Sequence, residues 1–137
     1  MIRRDFLQAE ISKLAQALAK IMGLKEAGNQ QEADDLINQN LLQGFDLDLE
    51  SVTKSSPVEF KKLLAAKNFP AKKLDLLGRF LLESVSPFHQ NPGTIAILNH
   101  VLVLYQLLEQ EHHTQSLENL NRQQKIIQFL KQKEQDG

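Results

Sequence analysis

Apolar residues recur at spacings of three and four along nearly the whole chain, so the hydrophobic pattern is helical throughout. Leu7, Ile11, Leu14, Leu18, Ile21 and Leu24 mark one face of a first helix from Ile2 to Ala27, about seven turns at roughly 3.6 residues per turn. Gly28 can take the left-handed conformation that ends it, and Asn29 with Glu32 three residues on predicts a capping box for the next helix. Ala33, Leu36, Ile37 and Leu41 continue the stripe on that second helix, which is expected to stop at Gly44. Two helices joined by so short a link lie antiparallel and share a face.

Between Phe45 and Ser55, Leu47, Leu49 and Val52 alternate with Asp46, Asp48 and Glu50, a pattern suited to a short helix or helical turn. Ser56-Pro57-Val58-Glu59 is a stronger start signal, with a serine cap, proline at the first helical position and a glutamate able to bond back. Phe60, Leu63 and Leu64 give that helix its buried face up to Asn68-Phe69-Pro70, where a proline restarts a helix carrying Leu74, Leu77, Phe80, Leu81 and Val85. The prolines and glycine between Ser86 and Gly93 predict a loop, out of which Asn91-Pro92 starts the most apolar stretch of the chain, Thr94 to Leu108.

That stretch carries two stripes, Ile95, Leu98, Val101, Leu102, Tyr105 and Leu108 on one face and Ile97, Leu104 and Leu107 on another. A helix apolar on two faces needs neighbours on both, and this run is shorter than the roughly 20 apolar residues a membrane span requires. It is therefore expected at the buried centre of the fold. After the polar link Glu111-His112-His113-Thr114, Leu117, Leu120, Ile127 and Leu130 predict a last helix. The prediction is an all-α fold of antiparallel helical hairpins, either a short stack or an irregular bundle. Its parts are a first hairpin over 1–44, a short helix and a basic helix pair over 45–86, a final hairpin over 91–131, and a polar tail over 132–137 that is expected to fray.

At 137 residues the chain suits a single domain with a core of its own. Sixteen basic and seventeen acidic residues leave a net charge of -1, so no global field draws the molecule to nucleic acid or an anionic membrane. The absence of cysteine removes disulfides, thiolate metal sites and thiol catalysis. The N-terminus begins with basic residues, but Asp5, Gln8 and Glu10 interrupt any apolar core of a signal peptide, and a cytoplasmic location is expected.

Two resemblances bear on the fold. In GLKEAGNQQEADDLI, Gly28 and Ala33 stand as glycine and alanine do at the turn of a tetratricopeptide repeat, with Leu24 and Ile37 where that family places aromatic residues. Ala17, Lys20, Ile21 and Asn40 depart from its remaining positions. Leu107, Ser116 and Leu120 repeat the arrangement of Leu24, Ala33 and Ile37 faintly, with room for a diverged pair between them. The opening MIRRDFLQAEISKL, followed by LKEAGNQQEADDLI and FDLDLESV, resembles a family of small bacterial helical proteins of unknown function with such hairpins. The resemblance implies a helical fold and a bacterial origin, and it transfers no functional residue.

Candidate chemistry is sparse. Glu109 and His112, with His113 beside them, have a spacing that lets a carboxylate and an imidazole share a metal. Dimetal bundles need two such pairs and two further glutamates, so histidines set against the negative end of a helix dipole are the preferred reading and no metal is assigned. His100, mid-helix, reads as a half-buried side chain bonded to a neighbour rather than as a catalytic base. No phosphate loop, nucleophile elbow or zinc-helix motif occurs, and Ser84, Ser86 and Thr94 suit caps and loops.

Charge is distributed unevenly. Every charged residue from Glu26 to Glu50 is acidic, whereas Lys54, Lys61, Lys62, Lys67, Lys72, Lys73 and Arg79 follow against only Glu59 and Asp75. The segment 57–85 has the outline of a helix-turn-helix, but its second helix lacks base-reading residues, which disfavours nucleic acid. The expectation is a non-catalytic interaction module, without cofactor or membrane attachment, that binds a protein or peptide, or a second copy of itself, through hairpin faces. Lys61, Lys62, Lys72 and Lys73 are the expected partner-binding residues. Nucleic-acid binding through 57–85, and a ligand- or metal-binding bundle, are the alternatives.

Overall fold

The computed structural model describes residues 2–113 and 116–136, with side chains described over 5–113 and 116–132. Thr114 of the polar link and the side chains of the tail beyond 132 lie outside that set. Seven helices and no strand occur among the described residues: α1 (Ile2–Glu26), α2 (Gln30–Phe45), α3 (Leu49–Lys54), α4 (Pro57–Lys67), α5 (Ala71–Val85), α6 (Pro92–Glu111) and α7 (Leu117–Asp136).

Local chemistry accounts for several helix ends. Gly28 ends α1 at φ +83°, the left-handed conformation that only glycine adopts without strain. The Ser56–Glu59 capping box forms in full, with Glu59 N–H donating to Ser56 Oγ at 3.1 Å and Ser56 N–H donating to Glu59 Oε1 at 2.9 Å. Ser56, chiefly through its backbone N–H, holds the Glu59 carboxyl below the usual carboxylate range. Asn91 Oδ1 accepts from Thr94 N–H at 2.8 Å and starts α6. Asp48 caps α3 and Ser116 caps α7 in the same way.

Two expected signals work differently. Asn29 makes no side-chain cap bond; it meets α2 only through its carbonyl, which accepts from Ala33 N–H. Gly44 does not end α2, which runs on to Phe45 and turns at Asp46 with φ +54°. Gly44 is instead a packing residue, since a Cβ there would stand 2.7 Å from Leu14 Cδ2 on α1.

Buried apolar residues from all seven helices join in one core. α6 lies at its centre as the double stripe requires, with Leu98, Val101, Tyr105 and Leu108 buried from the first stripe and Ile97, Leu104 and Leu107 from the second. α5 packs along α6, where a Cβ on Gly78 would stand 3.1 Å from Leu104 Cδ2, and α3, α4 and α7 also pack on α6. The first hairpin, α1 with α2, lies against α5.

Helix directions follow from the paired residues. Glu10 meets Lys73 and, farther along both helices, Lys25 meets Glu83, so α1 and α5 run the same way. Asn119 meets Asp75, and Phe129 meets Phe88 just beyond the end of α5, so α7 runs that way too. α2 and α6 return between them. The strongest pairing of the basic segment is therefore α5 with α6, and α4 packs mainly on α6 rather than forming a close pair with α5.

Candidate functional site

The four lysines expected to form one binding surface have different surroundings. Lys61 and Lys62 are exposed on α4, whose opposite face buries Phe60 and Leu64. Lys72 is exposed at the start of α5. Lys73, its neighbour in sequence, turns inward: its side chain is 12% exposed and Nζ donates to Glu10 Oε1. The ammonium also lies 4.9 Å from the Phe69 ring centre and 5.7 Å from that of Phe45, within the reach of cation–π attraction. Phe45 in turn makes edge contacts with Phe69 and Phe80. Lys73 thus joins α1 to α5 over an aromatic cluster.

The acidic and basic segments meet directly at Lys67 and Asp46, 3.3 Å apart, with the carboxylate 97% exposed. A pair so open to water contributes little. Lys61, Lys62 and Lys72 make no ion pair among the described residues.

Lys72 borders a cleft of about 460 Å³ between α1 and α5, lined by Ile11, Ala15, Ala71, Lys72, Asp75 and Leu76. Its position follows from the sequence, because alanines at Ala15 and Ala71 leave volume where two parallel helices would otherwise fill the space. Apolar side chains form most of its surface. Asp75, at the edge, is already engaged, since Asn119 Nδ2 donates to its Oδ1 at 2.7 Å. Arg122 Nη1 donates to the amide oxygen of Asn119 at 2.7 Å, which links α5 to α7 through a polar bridge. Lys72 is left as a cation at the cleft without a direct ionic partner among the described residues. Farther along the same two helices, a second hollow of about 410 Å³ is lined by Met22, Lys25, Glu26, Gln30, Glu83, Ser86 and Pro87. The alanine spacing was the sequence signal for this cleft, and it shows itself only once α1 and α5 are known to be neighbours.

The histidines occupy less reactive surroundings. His112 is half-buried beside a hollow of about 80 Å³ that Leu64, Phe69 and Leu107 also line, while Glu109 and His113 are exposed. Among the described residues no three His, Asp or Glu side chains converge as a metal ion requires. His100 is more enclosed than the expected half-buried residue, at 1% exposure. The helix-turn-helix outline of 57–85 is also altered by packing, because α5 is enclosed by α1, α2 and α6 and buries Leu74, Leu76, Leu77, Gly78, Phe80 and Leu81.

No helix among the described residues is long and apolar enough to cross a membrane. No protein family matches the chain, and neither a curated protein nor a solved structure matches it. The resemblance of MIRRDFLQAEISKL, LKEAGNQQEADDLI and FDLDLESV to a bacterial family thus finds no support there, and the functional reading rests on fold and side-chain geometry.

Proposed function

We propose that the protein is a non-catalytic interaction module that holds a segment of a partner protein in the cleft between α1 and α5. The observation that carries this reading is the cleft itself, with an apolar lining from Ile11, Ala15, Ala71 and Leu76 and the exposed ammonium of Lys72 beside it. Burial of apolar partner side chains supplies the attraction, and the charge at the edge sets orientation. The parallel course of α1, α5 and α7, with α2 and α6 returning between them, is what a tetratricopeptide-like stack of hairpins would give. It supports a groove on the face shared by the three parallel helices. The fold analogy supports binding in general and names no partner.

The test is affinity capture from an extract of the source organism with the wild-type protein and Ala15→Arg side by side. Ala15 is exposed, so the arginine fills the cleft without entering the core, and circular dichroism checks that the helices persist. Loss of a discrete captured protein in the variant supports the cleft, and an identical set of captured proteins removes it from the account. Replacing Lys61, Lys62 and Lys72 together by glutamate measures the contribution of the exposed lysines.

A further inference from the structure

Three helices meet on one buried imidazole. His100 Nε2, on α6, lies 2.9 Å from the Val52 carbonyl oxygen in the last turn of α3 and 3.4 Å from Ser55 Oγ. A carbonyl only accepts, so Nε2 carries the hydrogen. Ser55 Oγ donates its own hydrogen to the same carbonyl at 2.7 Å, which leaves its lone pairs to face the imidazole N–H. The ring stacks on Phe60 of α4, centres 4.6 Å apart at 30°. This arrangement leaves a lone pair on Nδ1, and Nδ1 is buried without a hydrogen-bond partner among the described residues.

The two helices bonded and stacked on this ring are weakly tied elsewhere. α3 has six residues and α4 eleven, and the extensive packing of both is on α6 alone. Beyond that, Lys67 at the end of α4 pairs with Asp46, whose carboxylate is exposed, and Leu49 of α3 lines a small hollow with Ile37 and Asn38 of α2. We propose that α3 and α4 form an acid-labile flap on α6, latched by neutral His100 and released when Nδ1 takes a proton for which its buried surroundings offer no acceptor. Opening uncovers Val52, Phe60 and Leu64, an apolar face that is closed at neutral pH.

Among the described residues no charged side chain acts on the ring to offset that proton. α3 presents Val52 and Ser55, and its Glu50 and Lys54 pair with each other at the surface, 2.8 Å apart. α4 presents Phe60; its Glu59 is held in the capping box, and Lys61 and Lys62 are exposed. Burial pushes the His100 imidazole below the usual histidine value, outweighing the Val52 and Ser55 bonds that pull the other way. The sign follows from proton linkage. The open form takes up the proton more readily, so the closed flap is most stable above about pH 6.5. Its closing constant falls by up to about tenfold per pH unit below that, until the lowered value is passed.

The experiment is amide hydrogen exchange on the full chain between pH 5 and 8, corrected for intrinsic rates, together with NMR titration of the imidazoles. His100→Gln keeps a side-chain donor for Val52 but cannot titrate. Protection of 49–67 is expected to fall by up to about tenfold per pH unit below pH 6.5 in the wild type while α1 and α2 keep theirs. It is expected to stay flat in His100→Gln. Equal acid sensitivity in the variant, or flat protection in the wild type, overturns the latch. If the variant fails to fold, the wild-type titration decides alone: His100 titrating at the ordinary histidine value overturns the proposal, and titration well below it together with the protection loss supports it.

Discussion

Gly23 and Gly28 stand close together at the end of α1 yet ask for opposite outcomes when changed to alanine. Gly23 is inside the helix, exposed, with nothing within 4 Å of an added Cβ. Alanine there lowers the conformational freedom of the unfolded chain and should stabilise the protein by about 1 kcal/mol. Gly28 has the same open surroundings but sits at φ +83°, where a Cβ strains the backbone, so Gly28→Ala should cost about 1 kcal/mol. Urea denaturation of the two variants beside the wild type checks both signs. Tyr105 offers a third case. Its hydroxyl is buried without a hydrogen bond of good geometry although Arg122 lies near, and burial pushes its pKa up to about 12. The unfolded tyrosine ionises near pH 10, so between about pH 10 and 12 the folded state holds its proton more tightly than the unfolded state. Stability should therefore fall as pH rises through that window, with up to about 1.4 kcal/mol per pH unit from this residue. Tyr105→Phe should remove that component, seen as a shallower alkaline slope in urea midpoints than the wild type gives. At this scale the sequence located His100 and Tyr105 on the core helix, but it could not say what covered them. The groups that surround their polar atoms, Val52, Ser55 and Phe60 for one and Arg122 for the other, come from distant segments.

At the scale of single helices the hydrophobic period and the caps were legible because both are local. Ser56-Pro57-Val58-Glu59 contains every atom its capping box needs, and the box forms. Asn29 and Glu32 have the matching spacing, yet Asn29 adopts φ -90° and ψ 64° and its side chain does not cap. Residue types permit a cap, while backbone angles set by the Gly28 turn decide it. The prolines after Val85 mark where α5 stops, but what satisfies its last carbonyls could not be read locally. Lys25 reaches across from α1 with a side chain 13% exposed, and Nζ donates to the Glu83 and Ser86 carbonyls at 2.5 and 2.7 Å, with Glu83 Oε2 3.2 Å away. A lysine near the end of one helix thus satisfies carbonyls at the end of another and places its charge against the negative end of the α5 dipole. Lys25→Met keeps the aliphatic stem but leaves those acceptors unpaired in a half-buried place. The expected loss is about 2 kcal/mol of unfolding free energy, with amide exchange rising first at 83–88. A loss below about 0.5 kcal/mol would mean that water satisfies those carbonyls as well as Lys25 does.

At the scale of the whole molecule, helical periodicity identifies which face of each helix is buried and leaves open which helix covers it. The basic stretch reads as a pair of successive helices, α4 and α5, but their apolar faces take different partners. The stripe of α5 is broad enough to meet α1, α2 and α6, whereas that of α4 carries little beyond Phe60 and Leu64 and settles on α6. The same gap separates charge in the sequence from charge at a surface. Lys72 and Lys73 are adjacent, and successive helical residues point about 100° apart, so one borders the cleft and the other enters the aromatic cluster with Glu10. Reversing all four lysines at once therefore mixes a surface effect with a structural one. Lys73→Glu places a carboxylate against Glu10 and over the Phe45 and Phe69 rings, and should cost about 2–4 kcal/mol. Replacing Lys61, Lys62 and Lys72 by glutamate should leave stability within about 1 kcal/mol of wild type, because none of the three makes an ion pair among the described residues. Urea denaturation of the two variants separates the contributions. A triple variant as unstable as Lys73→Glu would show that the exposed lysines also hold the fold, and a Lys73→Glu variant of wild-type stability would remove Lys73 as the tie between α1 and α5.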